Sequence, residues 1–272
     1  SAINLWGSND QINPDRWENG DFNYLTAVNQ LVVDINAAYD CAGLVRPFIS
    51  ANILEHLDDA KWEEKYMIEY VPIPSCVIEA FMNDASFDKN YYCQDLNQDG
   101  IADLPLRPKT GLMFTFDKVR FLTDPDGNPV YPGSGFFTVP DMTNTETAMW
   151  FYHNAKCYID RGVNAFSLGQ MGWMANKERN SGYPRLRHLV EKIRSYADSK
   201  GVDILITAEP YAASDGLGSK YYYIEQGIKH YFFDYQQWPL WANELSSTQF
   251  TDNLGCSNSP DQYNIFSTSE CA

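Results

Sequence analysis

The sharpest chemical pattern in the chain is the run Asp95-Leu-Asn97-Gln-Asp99-Gly100-Ile101-Ala-Asp103. Oxygen side chains at every second position can converge on one hard cation. Gly100 permits the sharp turn this needs, and the Ile101 carbonyl supplies a further oxygen. Asp95, Asn97, Asp99, Ile101 and Asp103 therefore predict a calcium loop, with a structural ion pinning a long polar insertion. Leu106 stands where a closing carboxylate would be expected, so a distant residue such as Asp88 has to complete the shell. The competing reading is a solvated Asn/Asp turn without an ion, because short motifs also occur by chance. Asp124 and Asp126, in TDPDGNP, read as an empty turn.

A second group of candidates sits where apolar runs end: Asn83 and Asp84, Asp117, Gln170, Glu209, and Asp234 with Gln236. A carboxyl group in apolar surroundings loses solvation of its charged form, so its pKa rises toward the range a general acid needs. A second carboxylate kept ionised by hydrogen bonds can act as nucleophile or base. Hydrolysis of a glycosidic bond uses such a pair. Glu209, in ITAEP, is the first candidate, with Asp117 and Asp234 as partners. The alternative for each is a structural carboxylate bound to a backbone amide or to an arginine such as Arg46.

The elements that must position these residues alternate. After a short apolar start at residues 3–6, residues 22–40 space their apolar positions by threes and fours, as an amphipathic helix does. An expected strand at 44–53 is followed by a helix-like stretch at 58–70 and apolar runs at 75–84 and 111–119. Thr/Asn capping candidates open a helix over 143–162, which stops at Gly162. A strand is expected at 163–171, and the clearest helix of the chain at 184–201, with Leu186, Leu189, Val190, Ile193 and Tyr196/Ala197 on one stripe. A buried strand over 202–210, a short helix near 219–228 and a strand over 229–238 complete the order. About eight β-then-α units in about 250 residues predict a single (β/α)₈ TIM-like barrel over residues 1–272. The calcium-loop insertion falls at about 85–110 and a hairpin-like excursion at about 120–142. Barrels of this kind carry their chemistry at the carboxyl ends of the strands. The alternative, a doubly wound open sheet, usually announces itself with a Gly-rich phosphate loop, and no G-x-G-x-x-G occurs.

Composition narrows the partners. With 36 acidic against 20 basic residues the net charge is −16, which repels nucleic acid and anionic lipid. No stretch reaches the roughly 20 apolar residues of a membrane span. Six cysteines occur with no C-x-x-C, which argues against zinc. Cys256 and Cys271 bracket a polar Ser/Asn/Pro-rich tail that a disulfide would close, and Cys41 and Cys157 suit buried hydrophobic positions in helices. A disulfide and a calcium ion together place the protein outside the reducing cytoplasm, secreted or at the cell surface. There is no G-x-S-x-G elbow and no H-E-x-x-H, and the four histidines are scattered.

Over most of residues 44–238 the chain resembles secreted (β/α)₈-barrel glycoside hydrolases. The likeness is carried by the strand-end carboxylates, by FSLGQMGWM after the fifth expected strand and by FFDYQQWPLW. The calcium loop is similar to those of EF-hand, dockerin and thrombospondin type 3 repeats. The resemblance implies a carbohydrate ligand, with Trp173, Tyr211, Trp238 and Trp241 as candidate stacking rings and Gln170, Tyr235 and Gln236 bonding hydroxyls. In the largest clan of such enzymes the catalytic pair is two glutamates, after the fourth and seventh strands. Asp117 and Asp234 occupy those ends here. A non-catalytic extracellular glycan-binding or surface-assembly domain is the competing function. Carboxylate separation distinguishes the two, since a pair about 5–5.5 Å or about 6.5–9.5 Å apart supports catalysis and a lone carboxylate supports binding.

Overall fold

The computed structural model describes residues 2–4, 23–52, 71–115, 140–168, 171–208, 222–226 and 228–236. Its spine is a five-stranded sheet formed by β1 (Ala2–Asn4), β2 (Phe48–Asn52), β3 (Ala165–Ser167), β4 (Leu205–Ala208) and β7 (Tyr235–Gln236), paired in that order. Every pairing is parallel. Asn164 stitches the amino end: it exchanges backbone and side-chain bonds with Ile49 on β2, and its carbonyl accepts from Leu205 on β4.

The helices follow from local sequence. Helix α1 (Asn23–Cys41) is the expected amphipathic segment. Helix α4 (Thr145–Ile159) ends where Gly162 takes a φ of +81°, a left-handed conformation that favours glycine. Helix α6 (Pro184–Ser199) starts with proline in its first turn and buries Leu186, Leu189, Val190, Ile193 and Ala197, the stripe expected from sequence. Five residues or fewer separate the end of α4 from β3 and the end of α6 from β4, so each helix runs back antiparallel to the strand it precedes. The amino ends of α4 and α6 therefore lie toward the carboxyl edge of the sheet. Helix α4 is buried around most of its circumference, including Trp150, Phe151 and Tyr158, and packs against both α6 and α2 (Ser75–Phe81).

The expected eight-stranded barrel is corrected. Among the described residues the parallel sheet has five strands, β1 pairs only with β2, and β7 pairs only with β4, so the sheet has two edges. Three segments account for the difference. Within the apolar run 75–84, which is compatible with a strand, Ser75–Phe81 form α2, because Pro74 sets the entry and Val77, Ile78 and Phe81 bury one helical face. Residues 111–115 make only an isolated antiparallel bridge between Pro72 and Met113. The helix expected near 219–228 is instead β5 (Tyr222–Glu225), paired antiparallel with β6 (Ile228–Tyr231), with Gln226 at φ +52° beside the turn. Aromatic and β-branched residues in YYYI favour that extended form. Short helices α3 (Lys89–Tyr92) and α5 (Met171–Met174), with a 3₁₀ turn at Asn176–Ser181, complete the described elements. The excursion at 120–142, apart from residues 140–142, and the tail between Cys256 and Cys271 lie outside the described residues. Among the described residues Cys41, Cys76, Cys93 and Cys157 are free thiols, and of the two expected to be buried Cys41 is exposed.

One buried group links this core to pH. His153 on α4 is 5 % exposed, and burial, with Lys156 and Arg161 nearby, lowers its pKa from the usual 6.5 to about 4. The folded state holds the neutral ring, so its stabilising effect is complete above pH 6.5 and is lost as pH falls toward 4, where the unfolded chain takes up a proton that the folded chain refuses. Across that window the loss approaches about 3 kcal/mol. Urea unfolding at a series of pH values should show this slope in the parent and a flatter one in His153→Phe. Parallel curves for the two proteins would remove His153 as the source.

Candidate functional site

The carboxyl edge of the sheet is where the parallel strands and the helix amino ends meet. In open parallel sheets ligands bind outside this edge, because side chains from several strand ends converge there. Strands β3, β4 and β7 are neighbours. Gln170 follows the last residue of β3 by three positions, Glu209 directly follows β4, and Gln236 ends β7. Of these three candidates, Gln236 alone is among the described residues. Gln170 and Glu209 lie outside the described residues, as do Asp117, Tyr211 and Trp238. The structure describes Trp173, in α5, and Tyr235 and Gln236, in β7, by backbone position only.

Asp234 is engaged by its neighbours. Its Oδ2 accepts the Ile206 N–H at 2.7 Å and pairs with Arg194 of α6 at 2.8 Å, while its own N–H donates to the Ile206 carbonyl. Asp234 therefore clamps β4, the chain entering β7 and α6 together, the structural role weighed for each strand-end carboxylate.

The insertion holding the calcium motif is tied at its base. Cys93 bridges Pro108, Gln94 N–H donates to the Arg107 carbonyl, and Asp103 N–H donates to the Gln94 carbonyl. Within the loop the side-chain oxygens take the loop's own amides. Asp95 accepts from Asp99 at 3.2 Å and Gly100 at 2.8 Å, Asn97 from Asp99 at 3.1 Å, Asp99 from Ile101 at 2.8 Å, and Asp103 from Leu96 at 2.5 Å. Gln98 and Gly100 both take left-handed φ values, +62° and +87°. Each ionised carboxylate oxygen that accepts one N–H keeps a second lone pair, so these bonds alone do not bar a hard cation. Asp88, the expected distant ligand, caps α3 by accepting from Tyr91 at 3.1 Å. Among the described residues no group of three or more His, Cys, Asp or Glu side chains is placed to hold a metal ion.

Two features at the helix amino ends were not anticipated as a site. Glu178, buried, accepts the Arg185 and Leu186 N–H groups at the start of α6, and burial raises its pKa against the lowering effect of those bonds. Beside it a cavity of about 430 Å³ opens between α2, α4 and α6, lined by Phe81, Asp84, Ser86, Thr145, Arg185 and His188 among others. Asp84 pairs with His188 at 2.9 Å and with Lys192 at 3.3 Å. Arg185 Nη1 donates to Ser86 Oγ at 2.7 Å and Thr145 Oγ1 at 3.3 Å. Asp84 stood out in the sequence as a polar residue ending an apolar run, whereas His188 is one of four scattered histidines. Nothing local joins them, since the packing of α4 on α6 brings the segments together.

No family model, curated protein or solved structure matches this chain.

Proposed function

We propose that the protein is an extracytoplasmic carbohydrate-active domain that hydrolyses a poly- or oligosaccharide at the carboxyl edge of its parallel sheet. The observation supporting this reading is the adjacency of β3, β4 and β7, all parallel, since in the sequence Gln170 and Glu209 come shortly after β3 and β4 and Gln236 ends β7. On this reading Glu209 is the general acid and Asp117 its partner carboxylate, Gln170, Tyr235 and Gln236 bond sugar hydroxyls, and Trp173, Tyr211 and Trp238 offer apolar faces for the rings. Release of reducing ends from a panel of polysaccharides tests it. Binding without release on any member would leave the glycan-binding alternative. One observation favours that alternative: Asp234 is engaged by Arg194 and the Ile206 amide, so one of the three expected carboxylates is committed to structure.

The same reading includes a structural calcium ion held by Asp95, Asn97, Asp99, Asp103 and the Ile101 carbonyl. A cation there would neutralise three carboxylates crowded into nine residues and fix the exposed insertion. Ligand binding to the folded state alone raises the unfolding temperature. Chelator should therefore lower the melting temperature and added calcium should restore it, while magnesium should restore it less, because magnesium demands stricter octahedral geometry and dehydrates reluctantly. An identical melting curve with and without chelator would refute the ion.

A further inference from the structure

The cavity between α2, α4 and α6 has a directional arrangement of charge. Its carboxylates are the less exposed groups: the Glu178 side chain beside it is 6 % exposed and Asp84 is 15 % exposed, against 34 % for Arg185 and 46 % for His188. Both carboxylates are also already engaged. Glu178 takes the amides at the start of α6 and lies 3.7 Å from Arg185 Nε, and Asp84 takes His188 and Lys192. The cation that lines the cavity is Arg185, with His188 already on Asp84. Arg185 uses Nη1 on the two hydroxyls, and among the described residues its Nη2 has no partner. Ser86 Oγ and Thr145 Oγ1 lie 3.0 Å apart beneath it, and Phe81, Ala148 and Pro184 supply apolar wall.

A planar guanidinium held at one nitrogen and open at another is preorganised for an oxyanion, which it can meet through charge-assisted hydrogen bonds. The hydroxyl pair fixes the guanidinium plane, which lowers the entropy cost of binding. With a net charge of −16 the molecule as a whole repels anions, so a ligand of this kind has to be captured by short-range donors and not by long-range attraction. The volume admits a small molecule of about the size of one or two sugar rings and excludes a folded partner.

We propose that this cavity is a binding site for a small oxyanion-bearing ligand, a carboxylate, sulfate or phosphate ester, with Arg185 as the anchoring cation, Ser86 and Thr145 as its positioning hydroxyls and His188 at the rim. The site stands whether or not the sheet edge is catalytic. Asp84 limits the affinity, because it places a negative charge beside the anion while holding His188 and Lys192.

The test uses the full chain with sodium glucuronate, sodium sulfate, sodium phosphate and glucose as probes at constant ionic strength, followed by calorimetry and by NMR of the arginine side-chain N–H signals. At least one anion should bind saturably and shift the Arg185 signal, while glucose leaves it unmoved, and the anion that binds tightest names the ester class. Arg185→Gln should weaken that anion by about 10-fold or more. Asp84→Asn, which keeps shape and removes the competing charge, should tighten it several-fold, and this second variant decides the matter if Arg185→Gln fails to fold. Binding of glucose equal to glucuronate, weaker anion binding in Asp84→Asn, or no saturable binding of any anion would overturn the proposal.

Discussion

Replacing Glu209 with Gln is expected to lower polysaccharide turnover by about 10²-fold or more and to leave sugar binding within a few-fold of the parent. Gln keeps the length and hydrogen-bonding shape of the side chain, but its amide cannot release a proton to the leaving oxygen. Binding contacts made equally in ground and transition states survive that change, so the loss should fall on kcat with KM nearly constant. Proton delivery matters less for a substrate with a good leaving group. An activated aryl glycoside should therefore lose less of its rate than the natural linkage, a pattern that damage to folding would not produce. The chain-level support is that Glu209 directly follows β4, with the parallel neighbours β3 and β7 on either side. Equal turnover in Glu209→Gln would remove the residue from the mechanism. If the parent binds glycans and cleaves none, the sheet edge is a binding surface.

How far the sequence revealed this molecule depended on whether the information was local. Helix α6 was readable because five core residues fall on one stripe between a proline and Gly201. Strands β2, β3 and β4 were readable as apolar runs between turn residues. The run 75–84 is ambiguous in the sequence, because a short apolar segment does not distinguish a strand from one face of a short helix, and the fold resolves it as α2 after Pro74. Residues 229–231 of β6 lie in an expected strand, whereas β5 replaces an expected helix because its tyrosines and Ile224 prefer extended backbone and pair with β6. The barrel inference multiplied these local errors, since counting each apolar run as a strand produced units that the sheet lacks. The site divides in the same way. Asp234 ended an apolar run as expected, but its role is set by Arg194, which reaches it from α6. The pairing of Asp84 with His188 and the contact of Arg185 with Ser86 and Thr145 depend on three helices packing together, and no spacing rule in the sequence encodes them.

The largest stability effect should come from Glu146, in the first turn of α4. Glu146 is 2 % exposed at the start of α4, where a carboxylate is favoured by the helix amino end. Its Oε2 accepts the Tyr92 hydroxyl, and its Oε1 accepts the Thr115 N–H at 2.6 Å and the Thr115 hydroxyl at 3.4 Å. One side chain thus joins the core helix α4 to α3 and to the segment that returns from the calcium-motif insertion. Glu146→Ala withdraws these acceptors from a buried site and should cost about 3–5 kcal/mol, more than an ordinary neutral hydrogen bond, because donors to a charged group are left without it. Glu146→Gln keeps one acceptor oxygen and should cost less than half as much. Tyr92→Phe removes one bond while leaving the ring in its contact with Phe87 at 4.9 Å, and should cost about 1.5–3 kcal/mol. In the double variant Glu146→Ala/Tyr92→Phe the losses should be less than additive, since the second change removes a donor whose acceptor is already gone. Urea unfolding of the four proteins measures this coupling. Strict additivity, or a Glu146→Ala loss below about 1 kcal/mol, would show that the insertion is held to the core by packing and not by this carboxylate.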